Sequence, residues 1–301
     1  MSRDEDALVA RLRAAGCVFA EDEARLLLEH VGRTTGAAPA AAAAPEAAPE
    51  VAAADELAVL VARRVAGEPL EHLLGWVELA GHRWSVGPGV FVPRRRTELM
   101  VRTALQGTPR AADVVVDLCC GCGAVGGAVA LGLQGGPGPR TRPGRPVELH
   151  ASDVDAAAVA HARRNLAPLG GTVHQGDLFD PLPAHLRGGV DVLLCHAPYV
   201  PTAAIPGMPP EARDHEPVAA LDGGTDGLDV LRRVVAAAPG WLRPGGRLLF
   251  EVGSDQVDGA LALVAAAALV GHVVRDEDDD GPGGTVVVAT AADASAAGGP
   301  A

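Results

Sequence analysis

The sequence contains no lysine: all 25 basic residues in its 301 positions are arginine. A pyridoxal Schiff base and a Walker-type phosphate loop both need a lysine, so these two mechanisms are excluded. Aromatic residues make up only 3% of the chain, and Tyr199 is its single tyrosine. Because hydrophobic residues still reach 48%, we expect a core built mainly from valine, leucine and alanine.

Positive charge is also scarce, and the net charge is −13 at pH 7. A general nucleic-acid binder carries a basic excess, so nucleic acid is not expected as the main partner, although Arg94-Arg95-Arg96 could form a local basic face. No apolar run has the length of a membrane span, and Met1 to Asp6 lacks the apolar core of a signal peptide. We expect a soluble, cytoplasmic protein without membrane contact, and the oligomeric state stays open.

Five cysteines are present, and three of them cluster at Cys119, Cys120 and Cys122. A cysteine-based zinc site requires two paired motifs, CxxC or Cys/His, and the sequence does not contain two such pairs. Adjacent cysteines rarely bridge each other, and cytosolic thiols stay reduced. The cluster is therefore predicted to fill apolar space around a tight turn, and no metal is expected.

Helical spacing of apolar residues, as between positions 24 and 31, characterises the first third of the chain. We predict an N-terminal helical module over residues 1–75, with an Ala/Pro-rich linker at 36–54. The three prolines of that linker forbid one continuous helix. Tryptophans among glycines predict a connecting hairpin at 76–92.

Strands and helices alternate from residue 93 onward. Val114–Leu118 and Val190–Cys195 are apolar apart from one aspartate each, Asp117 and Asp191, which is typical of strands buried on both faces. The alternation predicts an α/β domain at 93–290 with an open parallel sheet, whose first five strands follow the order 3-2-1-4-5. Further predicted elements are a strand at Thr172–Gln175 and helices at Ala156–Leu166 and Gln256–Val270. A Gly/Pro-rich insert at 135–146 is expected to be a loop, and a small-residue tail at 291–301 is expected to be disordered.

The first predicted strand of this domain carries Asp117 near its end and leads into the turn Gly121-Cys122-Gly123 and then a helix. Glycines at such a turn let a nucleotide-like ligand approach the backbone closely. The same stretch satisfies the GxGxxG pattern, so a nicotinamide oxidoreductase is one alternative.

Further carboxylates follow the next two predicted strands. Asp153 ends the second strand, where it could accept two hydrogen bonds from a ribose diol, and Asp155 is predicted to cap the following helix. Asp177 follows the third strand and could accept a hydrogen bond from an adenine amino group, with Leu178 packing on the ring. An ordinary turn aspartate is the alternative interpretation of Asp177.

The tetrapeptide His196-Ala197-Pro198-Tyr199 directly follows the fourth strand. In the predicted order, strands one and four flank the topological switch point, where ligands bind at the carboxyl ends of the strands. We therefore expect the tetrapeptide beside Gly121 to Gly123. A proline turn whose tyrosine fills the core is the simpler alternative.

Taken together, these motifs resemble the release-factor glutamine methyltransferase family of class I S-adenosylmethionine-dependent methyltransferases. The resemblance implies a Rossmann-like, mostly parallel seven-stranded sheet with a small N-terminal helical domain. It also implies methyl transfer from S-adenosylmethionine to a glutamine side-chain amide of a release factor. Further segments that carry it are Gly67-Glu68-Pro69-Leu70, Pro93-Arg94 with Thr97-Glu98, Gly176-Asp177-Leu178-Phe179, Glu216-Pro217 and Gly223-Gly224-x-Asp226-Gly227.

The resemblance also assigns roles to residues. In the family, an asparagine oxygen and the next backbone carbonyl accept the hydrogen bonds of the substrate amide, and an aromatic ring lies against it. These groups correspond to His196, the Ala197 carbonyl and Tyr199, with Pro198 fixing the turn. The implied cofactor-binding residues are Asp117, Gly121, Cys122, Gly123, Asp153, Asp177, Leu178 and His196.

The chain departs from the family pattern at three positions. His196 stands where the family has Asn or Asp, Ala197 replaces the first proline, and Arg96 replaces a glutamate. A neutral histidine accepts one hydrogen bond and a protonated one accepts none, so the site has altered geometry, another substrate or no activity. A non-catalytic cofactor-binding module and an adenine-nitrogen methyltransferase therefore remain alternatives.

Overall fold

The computed structural model describes residues 3–36, 48–107, 114–135, 146–276 and 283–293. The predicted insert at 135–146 and the predicted tail at 291–301 lie almost entirely outside these residues. The predicted linker at 36–54 lies outside them up to residue 47, and from Ala48 the chain is helical. Within the described ranges, no helix is both long enough and apolar enough to cross a bilayer.

The described chain contains ten α-helices and nine β-strands. The helices are α1 (Arg3–Ala14), α2 (Ala20–Gly36), α3 (Ala48–Val65), α4 (Leu70–Leu74), α5 (Glu98–Gly107), α6 (Ala124–Gly135), α7 (Ala156–Leu166), α8 (Pro210–His215), α9 (Asp229–Ala237) and α10 (Val257–Ala266). The strands are β1 (Trp76–Leu79), β2 (His82–Ser85), β3 (Val114–Leu118), β4 (Glu148–Asp153), β5 (Thr172–Gln175), β6 (Val190–Cys195), β7 (Leu242–Glu251), β8 (Val270–Arg275) and β9 (Thr285–Thr290).

The chain divides into two compact units, one of which comprises Met1–Trp76 and Pro209–His215. A buried ion pair lies inside this helical unit: the guanidinium of Arg64 donates to both carboxylate oxygens of Glu23, at 2.6 and 3.0 Å. Arg64 also donates to Glu211 at 3.0 Å. A buried guanidinium is tolerated only with such partners, so Arg64 joins α2, α3 and α8 within the unit. The helices bury an apolar core around Leu12 and Leu27.

The second unit is built on a seven-stranded sheet in the order β5-β4-β3-β6-β7-β9-β8. Strands β3 to β7 pair in parallel, and β9 runs antiparallel to both of its neighbours. The predicted strand order 3-2-1-4-5 and the mostly parallel α/β class are thereby confirmed. Buried apolar clusters lie on both faces of the sheet, as a doubly wound fold requires.

Element bounds follow the sequence closely where an apolar run ends at a polar or glycine residue. Strands β3, β5 and β6 and helix α7 match their predicted bounds. A helix predicted over 256–270 ends at Ala266 instead, because Ala268 has φ +57° and the chain then enters β8. The alanine-rich composition of this segment carries no stop signal, so the pattern overextended the helix.

A two-residue turn joins β1 and β2 into a small separate sheet. Ala80 and Gly81 have φ values of +53° and +74°, as a type I′ hairpin turn requires. The indole of Trp84 is buried and donates to the Leu79 carbonyl at 3.1 Å. The hairpin predicted from the tryptophans and glycines of this stretch is therefore present.

Helix α6 passes so close to β3 that only glycine fits at the contact. The backbone N–H of Gly126 donates to Asp117 at 2.9 Å, and a Cβ at position 126 would lie 2.8 Å from that side chain. We expect Gly126→Ala to lower the free energy of unfolding by about 1–3 kcal/mol in urea titrations, since the packed core cannot absorb the clash.

Gly135→Ala is the matched control, because Gly135 ends the same helix and its Cβ would meet nothing within 4 Å. This variant should be as stable as the parent or slightly more stable, since alanine favours helix. Equal losses in the two variants would contradict the close approach.

Candidate functional site

The register of the central strands sets the position of the candidate site. Leu118 at the end of β3 pairs with Cys195 at the end of β6, so the two following loops leave the sheet side by side. A cavity of about 350 Å³ opens between these loops and the loops after β4 and β5. It lies at the topological switch point, and its volume is typical of small-molecule sites.

The cavity wall contains nearly all of the residues predicted for the site. Its lining includes Asp117, Gly121, Cys122, Asp153, Asp177, Leu178 and His196-Ala197-Pro198-Tyr199. Gly123 is not part of the wall. It adopts φ +79°, its N–H donates to the Cys120 carbonyl at 2.7 Å, and a Cβ there would lie 3.1 Å from the Leu166 side chain. Gly123 thus shapes the turn from behind the cavity.

Two backbone amides fix the carboxylate of Asp153 at the cavity wall. Its Oδ2 accepts from the N–H of Gly121 at 2.9 Å, and its Oδ1 accepts from the N–H of Asp155 at 2.9 Å. Burial raises the pKa of Asp153. Each oxygen keeps a second lone pair, so the carboxylate can accept two further hydrogen bonds. Asp155 caps α7 as predicted, by accepting from the Ala158 N–H at 2.9 Å.

The floor of the cavity is formed by buried residues. Asp117 is 1% exposed, and burial raises its pKa to about 7. Its bond to the Gly126 N–H ties the turn after β3 to the start of α6. Cys120 and Cys122 pack in the apolar core, as predicted, and burial raises the pKa of Cys122 to about 12. These thiols are therefore neutral apolar groups and not reactive thiolates.

In the loop after β5, Leu178 is buried and hydrogen-bonded through its backbone, whereas the side chain of Asp177 is partly exposed. Leu178 is buried at φ +47°, and its carbonyl accepts from the hydroxyl of Ser152 at 2.7 Å. The carboxylate of Asp177 is about half exposed and accepts from Arg233 at 2.5 Å. The apolar surface beside the cavity is therefore rigid, whereas Asp177 has a competing partner.

The imidazole of His196 is buried between two aromatic rings. Phe91 meets it edge-on with ring centroids 5.3 Å apart, and Tyr199 lies nearly parallel to it at 6.0 Å. Burial lowers the pKa of His196, and the charge of Arg96 adds to this, although Glu251 acts in the opposite direction. The ring is neutral near pH 7 and retains one nitrogen that can accept a hydrogen bond.

A buried carboxylate, Glu251, organises the polar side of the cavity. Its Oε1 accepts from Arg96 at 2.9 Å and from the hydroxyl of Tyr199 at 2.8 Å. Its Oε2 accepts from the hydroxyl of Thr97 at 3.0 Å and lies 3.7 Å from Nε2 of His196. Arg96 also donates to the Tyr199 hydroxyl at 2.8 Å. Burial raises the pKa of Glu251, but the neighbouring positive charges and donors outweigh it, so the net shift is downward.

Sequence reasoning missed Glu251 and Phe91, and it treated Arg96 as part of a basic run and as a departure from the family pattern, not as a residue of the cavity. The available signal for Glu251 was a single carboxylate at the end of an apolar strand at the carboxyl edge of the sheet. Glu216, which the family segments included, accepts from the Val92 N–H at 3.1 Å and from Arg94 at 2.7 Å. Glu216 thereby holds in place the segment of Val92 and Arg94, part of which lines the cavity.

Comparison with known proteins identifies the family. The PrmC N-terminal domain family matches residues 6–75. The release factor glutamine methyltransferase of Moorella thermoacetica is 39% identical over 254 residues, which cover 82% of this chain and 83% of the relative. That of Bordetella pertussis is 40% identical over 253 residues, covering 82% and 87%. This chain belongs to the release factor glutamine methyltransferase family.

The family predicted from the sequence motifs is thereby confirmed, and the nicotinamide oxidoreductase alternative is set aside. Among solved structures, a methyltransferase from Pyrococcus furiosus aligns with a TM-score of 0.49 at 15% identity. That alignment covers 70% of this chain and 90% of the other.

Proposed function

We propose that this protein transfers a methyl group from S-adenosylmethionine to the side-chain amide nitrogen of a glutamine in a peptide chain release factor. The observation that carries the proposal is one cavity lined by both the Asp153 carboxylate and the His196–Tyr199 tetrapeptide. The first group suits a cofactor ribose, and the second suits a planar amide. A release factor as substrate also implies activity in the cytoplasm.

The residues of the cavity fit S-adenosylmethionine. Asp153 would accept from the ribose hydroxyls, because its two bonds to backbone amides hold it in place. Gly121 has φ +54°, and a Cβ at this position would meet no atom within 4 Å, so there is space for the methionine part beside Cys122. Leu178 offers apolar contact to the adenine, with Asp177 near its amino group. When bound, S-adenosylmethionine would supply the methyl of its sulfonium and leave as the thioether, while the methylated amide nitrogen would release one proton to solvent.

The tetrapeptide would make the amide nitrogen a better nucleophile. Amide lone pairs are delocalised, and acceptors placed on both N–H bonds favour localising the pair on nitrogen. The Ala197 carbonyl is one acceptor in this proposal, and His196 is the other. Because Glu251 lies 3.7 Å from Nε2 of His196, we infer that Nε2 carries the proton and Nδ1 accepts. Hydrogen bonds to Glu251 and Arg96 orient the Tyr199 ring against the amide.

Methyl transfer from labelled S-adenosylmethionine to a purified release factor tests the proposal, with nucleic acid as the parallel acceptor. We expect label on one glutamine of the release factor, located by mass spectrometry of its peptides. Label on nucleic acid would favour the adenine methyltransferase alternative. Calorimetric cofactor binding without label on either acceptor would favour the non-catalytic module.

The Asp153→Ala and Tyr199→Ala variants should lose different properties, the first cofactor affinity and the second the rate of methyl transfer. Asp153→Ala removes acceptors for the cofactor, so its Kd for S-adenosylmethionine should rise about tenfold or more in calorimetry. Tyr199→Ala should leave that Kd within about threefold and lower the single-turnover rate about a hundredfold, since it acts on positioning. Asp258→Ala, an exposed aspartate on α10, is the matched control. Equal cofactor affinity in all three variants would contradict these roles.

The pH profile should report on His196. Its pKa lies below the ordinary 6.5, and protonation removes the accepting nitrogen. Activity should therefore be level above that pKa and fall about tenfold per pH unit below it. In His196→Asn the amide oxygen accepts at every pH, so the variant should remain active and lack this decline. An unchanged acid limb in His196→Asn would show that another group causes it.

A further inference from the structure

A cluster of histidines and one glutamate lies away from the methyl-transfer cavity. Glu148 and His150 are two residues apart on β4 and therefore project from the same face of the sheet. His185 lies on a short 3₁₀ helix, Ala184–Leu186, between β5 and β6. Nε2 of His150 and Nε2 of His185 approach the same oxygen, Glu148 Oε1, at 3.2 and 3.0 Å.

The geometry points to a zinc(II) site whose ligands are Nε2 of His150, Nε2 of His185 and Oε1 of Glu148. These three atoms lie within 4.8 Å of one another. Tetrahedral zinc with bonds near 2.1 Å places its ligand atoms about 3.4 Å apart, and two of the three separations are already close to this value. Two imidazoles and one carboxylate form a common zinc donor set, which leaves the fourth position to water.

A third histidine, His174, supports the ligand that is least able to move. The side chain of His150 is 8% exposed, and its Nδ1 lies 3.0 Å from Nε2 of His174. Histidines that bind zinc usually donate their other ring N–H to a neighbouring acceptor, which fixes the tautomer and the ring orientation. With the proton on Nδ1 of His150, its Nε2 lone pair is directed toward the site. His185 has a side chain that is 63% exposed, so it can adjust to complete the coordination.

The place of the cluster in the sheet indicates a structural role. Glu148 begins β4, whereas Asp153 of the cofactor cavity ends it, so about 16 Å of strand separates the two. A metal here would connect the start of β4 to the segment between β5 and β6. Zinc should therefore stabilise the fold through binding linkage and leave the chemistry of methyl transfer unchanged.

Zinc binding to the full chain, without an affinity tag and after chelator treatment, tests the site. Competition with a chromophoric chelator gives the affinity, and elemental analysis gives the stoichiometry. We expect His185→Ala to bind one zinc fewer than wild type, or to bind it at least tenfold more weakly. Zinc should raise the Tm of the wild type and leave that of His185→Ala nearly unchanged. Any zinc bound by cysteine thiols would add equally to the stoichiometry of the wild type and of His185→Ala. The difference between the two proteins therefore reports on the proposed site.

His272→Ala is the matched control, because His272 is an exposed histidine on β8 at the opposite edge of the sheet. It should retain the stoichiometry and the zinc-dependent rise in Tm. Glu148→Gln tests the same site without removing a histidine ring, and it should also weaken zinc binding. If His185→Ala and Glu148→Gln bind zinc as the wild type does, the cluster is held by hydrogen bonds alone and the proposal is wrong.

Discussion

The arrangement of the cavity at the topological switch point depends on the buried carboxylate of Glu251. A carboxylate taken out of water costs several kcal/mol unless hydrogen-bond donors and opposite charge replace the lost hydration. Here the donors come from Arg96 and Thr97, which precede α5, and from Tyr199, which follows β6. One desolvated group therefore holds three distant segments of the chain in register. The Tyr199 ring is positioned as a consequence of this charge balance, because its hydroxyl is one of the donors.

Two departures from the family pattern meet at this same carboxylate. Arg96 and His196 lie far apart in the sequence, and each alone suggests a damaged site. In the structure Arg96 contacts Glu251, and Glu251 lies 3.7 Å from His196. A cation at position 96 offsets the charge of Glu251 and, with burial, lowers the pKa of His196. The arginine therefore helps the histidine to remain neutral, which is the only form that can accept a hydrogen bond. The two residues are therefore linked electrostatically through Glu251.

The sequence predicted local structure best where one physical requirement determines which residue types a segment can contain. Val114–Leu118 and Val190–Cys195 are predictable because strands buried on both faces need mostly apolar residues, and both strands lead into the turns that line the cavity. Asp155 is predictable because a helix start leaves N–H groups that need an acceptor.

Other features depend on contacts that no local pattern contains. The role of Glu251 requires knowing that Arg96, 155 residues away, faces it. The end of α10 depends on the pairing of β8 with β9, which outweighs the helical preference of alanine. Gly123 looks equivalent to Gly121 in the motif, yet one packs against Leu166 and the other faces the cavity. Sequence spacing cannot distinguish the two sides of a turn.

The two ends of strand β4 carry different groups, because all strands of a parallel sheet direct their carboxyl ends to the same edge. All carboxyl ends of β3 to β6 meet at one edge, so Asp153 contributes to the cavity there together with the turn after β3. The amino end of the same strand carries Glu148 and its histidine neighbours, which contact the segment between β5 and β6. The two ends of β4 are separated by the strand itself, which pairs along its length with β3 and β5, so the groups at the amino end do not contact the cavity. A change at the amino end of β4 therefore leaves Asp153 in place, because the backbone amides of Gly121 and Asp155 hold its carboxylate.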